Sequence, residues 1–210
     1  MIDLDKELNE EQRAVVLQGD GPCLVLAGAG SGKTRTITYR VAHLLEKGVK
    51  PENILLVTFT NKAAKEMMDR VQTLADLPPA KGGSKGGLPW SGTFHHIGFR
   101  ILRKYAPLLG YKNNFTILDT EDSNDLLKLC LRQEGVDRKE RRFPSAAVIH
   151  NIISYARNAE TTIEDVLDLK HPQWLPIADV IIRIMAEYDR RKKEANAMDF
   201  DDLLLNTYLL

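Results

Sequence analysis

Ala27-Gly28-Ala29-Gly30-Ser31-Gly32-Lys33-Thr34 is the segment of this 210-residue chain whose residue types most directly specify chemistry. Small side chains let successive backbone N–H groups turn inward onto phosphate oxygens, and a helix starting at the end of such a loop adds its positive terminus. Lys33 would reach the β and γ phosphates and the Thr34 hydroxyl would ligate Mg²⁺, so these two are the candidate catalytic residues. The strict pattern begins with Gly; Ala27 makes this a relaxed variant. Gly-Lys-Thr also separates the loop from a dinucleotide fingerprint, which has another glycine spacing and needs no Lys.

The context expected of such a loop is a buried strand before it and a helix after it, and the flanking sequence has that form. Pro22 to Ala27 is a continuous apolar run bounded by turn residues, as expected of a strand covered on both faces of a parallel sheet. A helix is expected from about Gly32 to Lys47, stopped by Gly48. Asn53 to Thr58 reads as a second strand, with Thr60 or Asn61 capping a helix through Met67 and Val71. Upstream, Asn9 caps a short helix and Gln12 can reach back to that cap. Strand and helix alternating at this spacing predict an α/β fold with βαβ units and a parallel sheet.

Leu77 to Pro89 changes composition to a Gly- and Lys-rich surface loop. Trp90 to Thr93 can add a short strand, followed by helical spacing from Phe94 through Leu109. Beyond Phe115 the pattern is almost wholly helical: one helix capped by Thr120, another started by Pro144, and a long third through Ile177 to Tyr188. This predicts a nucleotide-binding domain over 1–105, a helical subdomain over 106–195, and a return over 196–210. The last residues follow an apolar helical pattern without a cap, as in a truncated chain.

Lys plus Arg and Asp plus Glu each number 29, so the formal net charge is zero and composition carries no sign of a polyanion binder. By window the charge is uneven. Residues 1–75 balance; 76–115 hold six basic residues against Asp76, a net +5; and 116–210 carry −5. A polyanion can be attracted to the middle window, although exposed charges of this kind are ordinarily a solvated face. Two cysteines exclude a disulfide framework and suggest a reducing compartment. The acidic N-terminus is not a signal peptide, and no apolar run approaches the roughly 18 residues of a membrane span, so a cytoplasmic protein with no membrane partner is expected.

Together with the loop, Leu8-Asn9-Glu10-Glu11-Gln12-Arg13, VTFTNKAAKEM from Val57, GTFHHIGFRIL from Gly92 and MDFDDLL from Met198 resemble, in order, the N-terminal part of superfamily 1 DNA helicases of the UvrD/Rep/PcrA type. The resemblance implies a P-loop, RecA-like ATP-binding domain with a helical insertion. It implies ATP and Mg²⁺ as cofactors, with Gln12 on the adenine edge, residues 27–34 around the phosphates and Arg35 beside the nucleotide. From the residues alone, Gln12 reads first as a capping-box glutamine, and Arg35 is equally a solvated helix charge. The resemblance places Phe59, Thr60 and Asn61, and then Thr93, Phe94 and His95, against single-stranded DNA. An aromatic ring can stack any base, and hydroxyl and amide groups can hold the backbone without reading sequence. The local pattern alone reads Phe59 as core and Thr60 as an N-cap. His95-His96 is discounted as a metal site, because adjacent residues at a helix start do not face one way and no carboxylate or Cys is near them in the sequence. Asp199, Asp201 and Asp202 are read as acids favouring a helix start rather than as a metal cluster. The run Arg138-Lys139-Glu140-Arg141-Arg142 is either a duplex-phosphate contact or a solvated turn.

The family's acidic Mg²⁺-holding pair and its second motor domain are not found among these residues, so the chain by itself is expected to bind nucleotide weakly if at all, and neither to hydrolyse it nor to unwind duplex. The parent is expected to translocate 3′ to 5′ on single-stranded DNA and to unwind at single-strand/duplex junctions, in bacterial nucleoid repair or replication. A nuclease-linked helicase subunit, a non-hydrolysing DNA-binding or regulatory module and another P-loop enzyme such as a nucleotide kinase are the alternatives.

Overall fold

The computed structural model describes residues 2–75, 87–135 and 143–210, so most of the Gly- and Lys-rich loop and the Arg138–Arg142 run lie outside the described residues. The chain divides into two compact units, Met1–Ile97 and Gly98–Leu210.

In the first unit, α1 (Leu4–Glu7) and α2 (Glu10–Gln18) precede the phosphate-type loop, and α3 (Lys33–Glu46) follows it. A single 3-10 turn leads into β1 (Leu55–Thr58), then α4 (Asn61–Ala75), then β2 (Trp90–Thr93). β1 and β2 pair in parallel, Leu55 opposite Trp90 and Thr58 opposite Thr93. The reason α4 packs where it does is readable in its spacing: Ala64, Met67, Met68 and Val71 form one stripe. That stripe shares a core with Val41 of α3, Ile54, Leu56 and Leu88. A second small cluster joins Leu8, Val16 and Tyr39, tying α2 to α3. Burying each such side chain contributes about 1.5–3 kcal/mol.

One sequence expectation fails here. Pro22 to Ala27 is not a strand; Leu24 and Leu26 are 87% and 88% exposed. An apolar run becomes a buried strand only when neighbours supply hydrogen bonds along its edges and side chains over its faces. Among the described residues β1 and β2 pair with each other, and no strand flanks 22–27.

α5 (Phe94–Tyr105) begins in the first unit and continues into the second, where a 3-10 turn at Ala106–Leu109 ends it. Pro107, lacking an N–H, suits the turn better than a continued helix. Then come β3 (Thr116–Ile117), α6 (Thr120–Gln133), α7 (Ala146–Asn158), α8 (Ile163–Lys170), a 3-10 segment, α9 (Ala178–Glu194), β4 (Ala197–Met198) and α10 (Phe200–Leu209). Two caps fall one place from the sequence reading: Asp119, not Thr120, caps α6, and Ser145, following Pro144, caps α7. α8 was not expected, although Thr162 and Asp165 form a capping box at its start.

Helices α6 to α9 close on Leu127, Ile149, Ile152, Leu167, Ile181 and Ile184. β3 and β4 pair in parallel beside a second core of Leu102, Phe115, Met198 and Leu203. Asn196, at φ 51°, makes the turn from α9 into β4, and its Oδ1 accepts the Lys112 N–H at 2.7 Å.

Helices α5 and α10 approach closely because residue 98 has no side chain. A Cβ there would stand 2.8 Å from Thr207 Oγ1 and 3.2 Å from the Leu203 carbonyl. Gly98→Ala is expected to cost the second unit about 1–3 kcal/mol through overpacking, measured as lost exchange protection of α10 amides, and Thr207→Ala is expected to restore part of it. Unchanged protection in Gly98→Ala would refute this packing.

Candidate functional site

The loop from Ala27 to Gly32 turns through two left-handed glycines, Gly30 at φ 79° and Gly32 at φ 83°, a region costly for residues with a Cβ. Around Gly28 and Gly30 a Cβ would meet nothing within 4 Å, so the loop faces open space. Ser31 closes it, its hydroxyl donating to the Gly28 carbonyl at 2.8 Å. Gly32 caps α3, whose first-turn N–H groups have no partners within the helix.

Lys33 folds back along the loop. Its ammonium donates to the Ala27 carbonyl at 2.9 Å and the Gly28 carbonyl at 2.7 Å. An ammonium has three N–H donors, so one remains for an acceptor in front of the loop. Thr34, the next residue, is half-buried in the first turn of α3.

Gln12 joins this loop to α2. Its Oε1 accepts the Asn9 N–H at 3.2 Å while Asn9 Oδ1 accepts the Gln12 N–H at 2.8 Å, the capping box expected from sequence. The same side chain also donates from Nε2 to the Ser31 carbonyl at 2.9 Å, a contact local sequence does not reveal. Opposite partners on its two ends fix which way the amide faces. One N–H and one lone pair are left over, the complement needed to meet a base edge. Gln12, Val25, Ala27, Gly28, Ser31 and Lys33 line a cavity of about 600 Å³. That falls within the usual range for small-molecule sites.

Arg35 is turned elsewhere. Its guanidinium donates to the Glu7 carbonyl at 2.7 and 3.0 Å and to the Glu7 carboxylate, which also accepts the Tyr39 hydroxyl at 2.8 Å. Burial, followed by that carboxylate contact, raises the Tyr39 phenol above its ordinary pKa. Arg35 thus straps α1 onto α3.

The second constellation lies at the ends of β1 and β2. The parallel register brings Thr58 and Thr93 side by side, and each strand leads directly into a helix. Thr60 Oγ1 accepts the Ala63 N–H at 3.1 Å and Thr93 Oγ1 accepts the His96 N–H at 3.2 Å, so both threonines act as caps. Phe59 is not core: it is 87% exposed, with its ring centroid 5.3 Å from that of Phe94. Asn61 and His95 open the two helices beside this pair. An exposed aromatic pair offers stacking surface to an unstacked base.

The basic residues of 76–115 are partly spent on structure. The Arg103 guanidinium sits 4.6 Å over both the Phe99 and Phe115 rings and donates to the Asn113 carbonyl at 2.6 Å. Lys104 lies 5.0 Å over the Tyr105 ring. Lys81 and Lys85 lie outside the described residues.

The first unit thus carries a glycine-turned loop backed by a lysine and an exposed aromatic pair at its strand ends. The chain belongs to the UvrD/REP helicase N-terminal domain family, whose model matches residues 8–210. It is 40% identical over 208 residues to the ATP-dependent DNA helicase PcrA of Staphylococcus epidermidis, and 39% identical over 204 residues to that of Staphylococcus aureus. These alignments cover 97% and 95% of this chain and 26% of each relative, so the chain spans about a quarter of their length. No helix among the described residues is long and apolar enough to cross a membrane.

Gly32 is the position on which loop and Gln12 both depend, since a Cβ there would lie 2.6 Å from Gln12 Nε2. Gly32→Ala is expected to cost about 1–2 kcal/mol in backbone strain and to move the Gln12 side-chain amide resonances in an NMR spectrum. Unmoved resonances would show that the glutamine does not seat on the loop.

Proposed function

We propose that this chain is the ATP-binding N-terminal part of a DNA helicase that moves 3′ to 5′ along single-stranded DNA and opens duplex at junctions, in repair or replication. The observation that carries the reading is the Phe59–Phe94 pair, two aromatic rings left exposed where ordinary folding would bury them. Residues 1–105 form the P-loop, RecA-like part, 106–195 the helical insertion, and 196–210 the return to the motor domain.

In this reading the backbone of residues 27–34 and the free N–H of Lys33 bind the triphosphate, while the spare donor and acceptor of Gln12 meet the adenine edge. Thr34 would hold Mg²⁺, which would supply charge neutralisation at the phosphates. The hydroxyl suits a hard cation, and the open space around Gly28 and Gly30 leaves room for phosphate oxygens. Arg35 reaches the nucleotide only by leaving Glu7. Stacking on Phe59 and Phe94, with polar contacts from Thr60, Asn61, Thr93 and His95, grips the strand independently of sequence. Alternating grip, timed by nucleotide closure against a second motor domain, moves the strand. Among the described residues there is no strand of the Asp-Glu type that would activate water, and in this reading these residues bind nucleotide weakly if at all and do not turn it over.

Two substitutions test the reading on the 210-residue chain. Phe59→Ala is expected to weaken binding of a fluorescent oligo-dT by about 1–3 kcal/mol, with ATP binding unchanged. Lys33→Ala is expected to remove ATP binding and leave the oligonucleotide bound. Oligo-dT affinity indifferent to Phe59, or ATP affinity indifferent to Lys33, would overturn the corresponding half of the proposal.

A further inference from the structure

The second unit buries a charged cluster that neither the phosphate loop nor the aromatic pair uses. Lys192 of α9 is 1% exposed, and its Nζ lies 2.6 Å from Asp199 Oδ2 and 2.6 Å from Asp202 Oδ2. Asp199 and Asp202 are themselves the capping box of α10: Asp199 Oδ1 accepts the Asp202 N–H at 2.8 Å, and Asp202 Oδ2 accepts the Asp199 N–H at 3.0 Å. From α7, the Arg157 guanidinium bonds Asp189 and lies 3.4 Å from Asp202 Oδ1 and 3.7 Å from Asp199 Oδ2. The Tyr188 hydroxyl donates to Asp199 Oδ2 at 3.0 Å, with the His150 ring edge-on behind it. Tyr111, preceding β3, completes the surroundings with Asn206 of α10.

The balance of charge is uneven. Two cations, Lys192 and Arg157, face three carboxylates: Arg157 bonds Asp189, whose side chain is 43% exposed, and stands farther from Asp199 and Asp202, while Lys192 lies between those two, which water scarcely reaches, and 3.5 Å from Asp189. A buried ion pair is stable when each charge is matched, and an unmatched buried carboxylate is costly. One proton would restore the match. Both carboxylates accept from Lys192 at 2.6 Å and from a backbone N–H, but Asp199 also accepts the Tyr188 hydroxyl at 3.0 Å where Asp202 has only the longer Arg157 contact at 3.4 Å, so Asp199 holds its charge more firmly. We propose that this cluster is a proton-operated clamp on α10, in which Asp202 gains the proton and the clamp tightens when it does.

The directions of ionisation agree. Burial, then the neighbouring Asp199 carboxylate, pushes Asp202 above its ordinary 3.8. Burial is the largest single influence on Asp199 as well, but the charge and hydrogen bond of Lys192, the Asp202 N–H and Arg157 together hold that carboxyl below 3.8. Burial followed by the Asp202 charge pushes the Tyr111 phenol up to about 12. Because the folded unit binds the Asp202 proton at a higher pH than the unfolded chain does, stability from this site grows as pH falls through the folded value. It stops growing at the unfolded value. Asp199 works oppositely: its contribution is present above the unfolded value and is lost as pH falls toward the folded one.

The test is a ¹³C NMR titration of the aspartate side-chain carboxyls in the 210-residue chain, with amide exchange of 200–209 followed in parallel. Asp202 is expected to titrate above the ordinary carboxylate range and Asp199 below it. Exchange protection of α10, corrected for intrinsic rates, is expected to rise by up to about tenfold per pH unit as Asp202 takes up its proton. Asp202→Asn, which keeps an acceptor for the cap without the charge, is expected to match the acid-state protection at neutral pH and lose the pH dependence. Asp199→Asn is expected to lose protection throughout. An Asp202 midpoint at or below the ordinary value, or wild-type protection that only falls with acid, overturns the proposal. If Asp202→Asn does not fold, the wild-type titration decides alone.

Discussion

The parallel pairing of β1 with β2 is the constraint on which the first unit depends. Parallel strands cannot be joined by a tight turn, so α4 must cross between them, and both strands must end at the same edge. Each end then runs directly into a helix, which brings two capping threonines and two aromatic rings to one place. In open α/β sheets the carboxyl ends of strands are where ligands bind, because backbone and helix termini converge there. Met67, Met68 and Val71 pack α4 into one core with Leu56 of β1, and so fix the junction between strand and helix that carries Phe59.

The legible part of the sequence was whatever rests on local chemistry. Gly48 stopping α3, Thr60 capping α4, the strands at 55–58 and 90–93 and the long α9 all follow from neighbours within one turn. What local sequence misjudges is surroundings. Leu24 and Leu26 have the composition of a buried strand, yet strand character depends on partners elsewhere in the fold. Phe59 reads as core by residue type, and only the sheet register shows that it emerges beyond the last pair at Thr58. The amide of Gln12 illustrates both sides: its cap is written in Asn9-x-x-Gln12, whereas its bond to Ser31 depends on how the loop returns.

The second unit shows the same division for charge. In Asp189-Arg190-Arg191-Lys192-Lys193-Glu194 nothing separates Lys192 from the residues beside it, and the string reads as a solvated face. Arg190 and Arg191 do pair along the helix surface with Glu187. Lys192 instead falls on the stripe shared by Ile181, Ile184 and Tyr188, and so is carried inside to Asp199 and Asp202. The acidic start of α10, expected for the helix dipole alone, is also the counter-charge for that lysine.

The central claim is that single-stranded DNA is held where β1 and β2 end. A hydrogen-exchange footprint of the chain with oligo-dT tests it most directly. The account predicts protection confined to amides near 59–63 and 93–97; protection over α6 and α9 with those amides unchanged would contradict it.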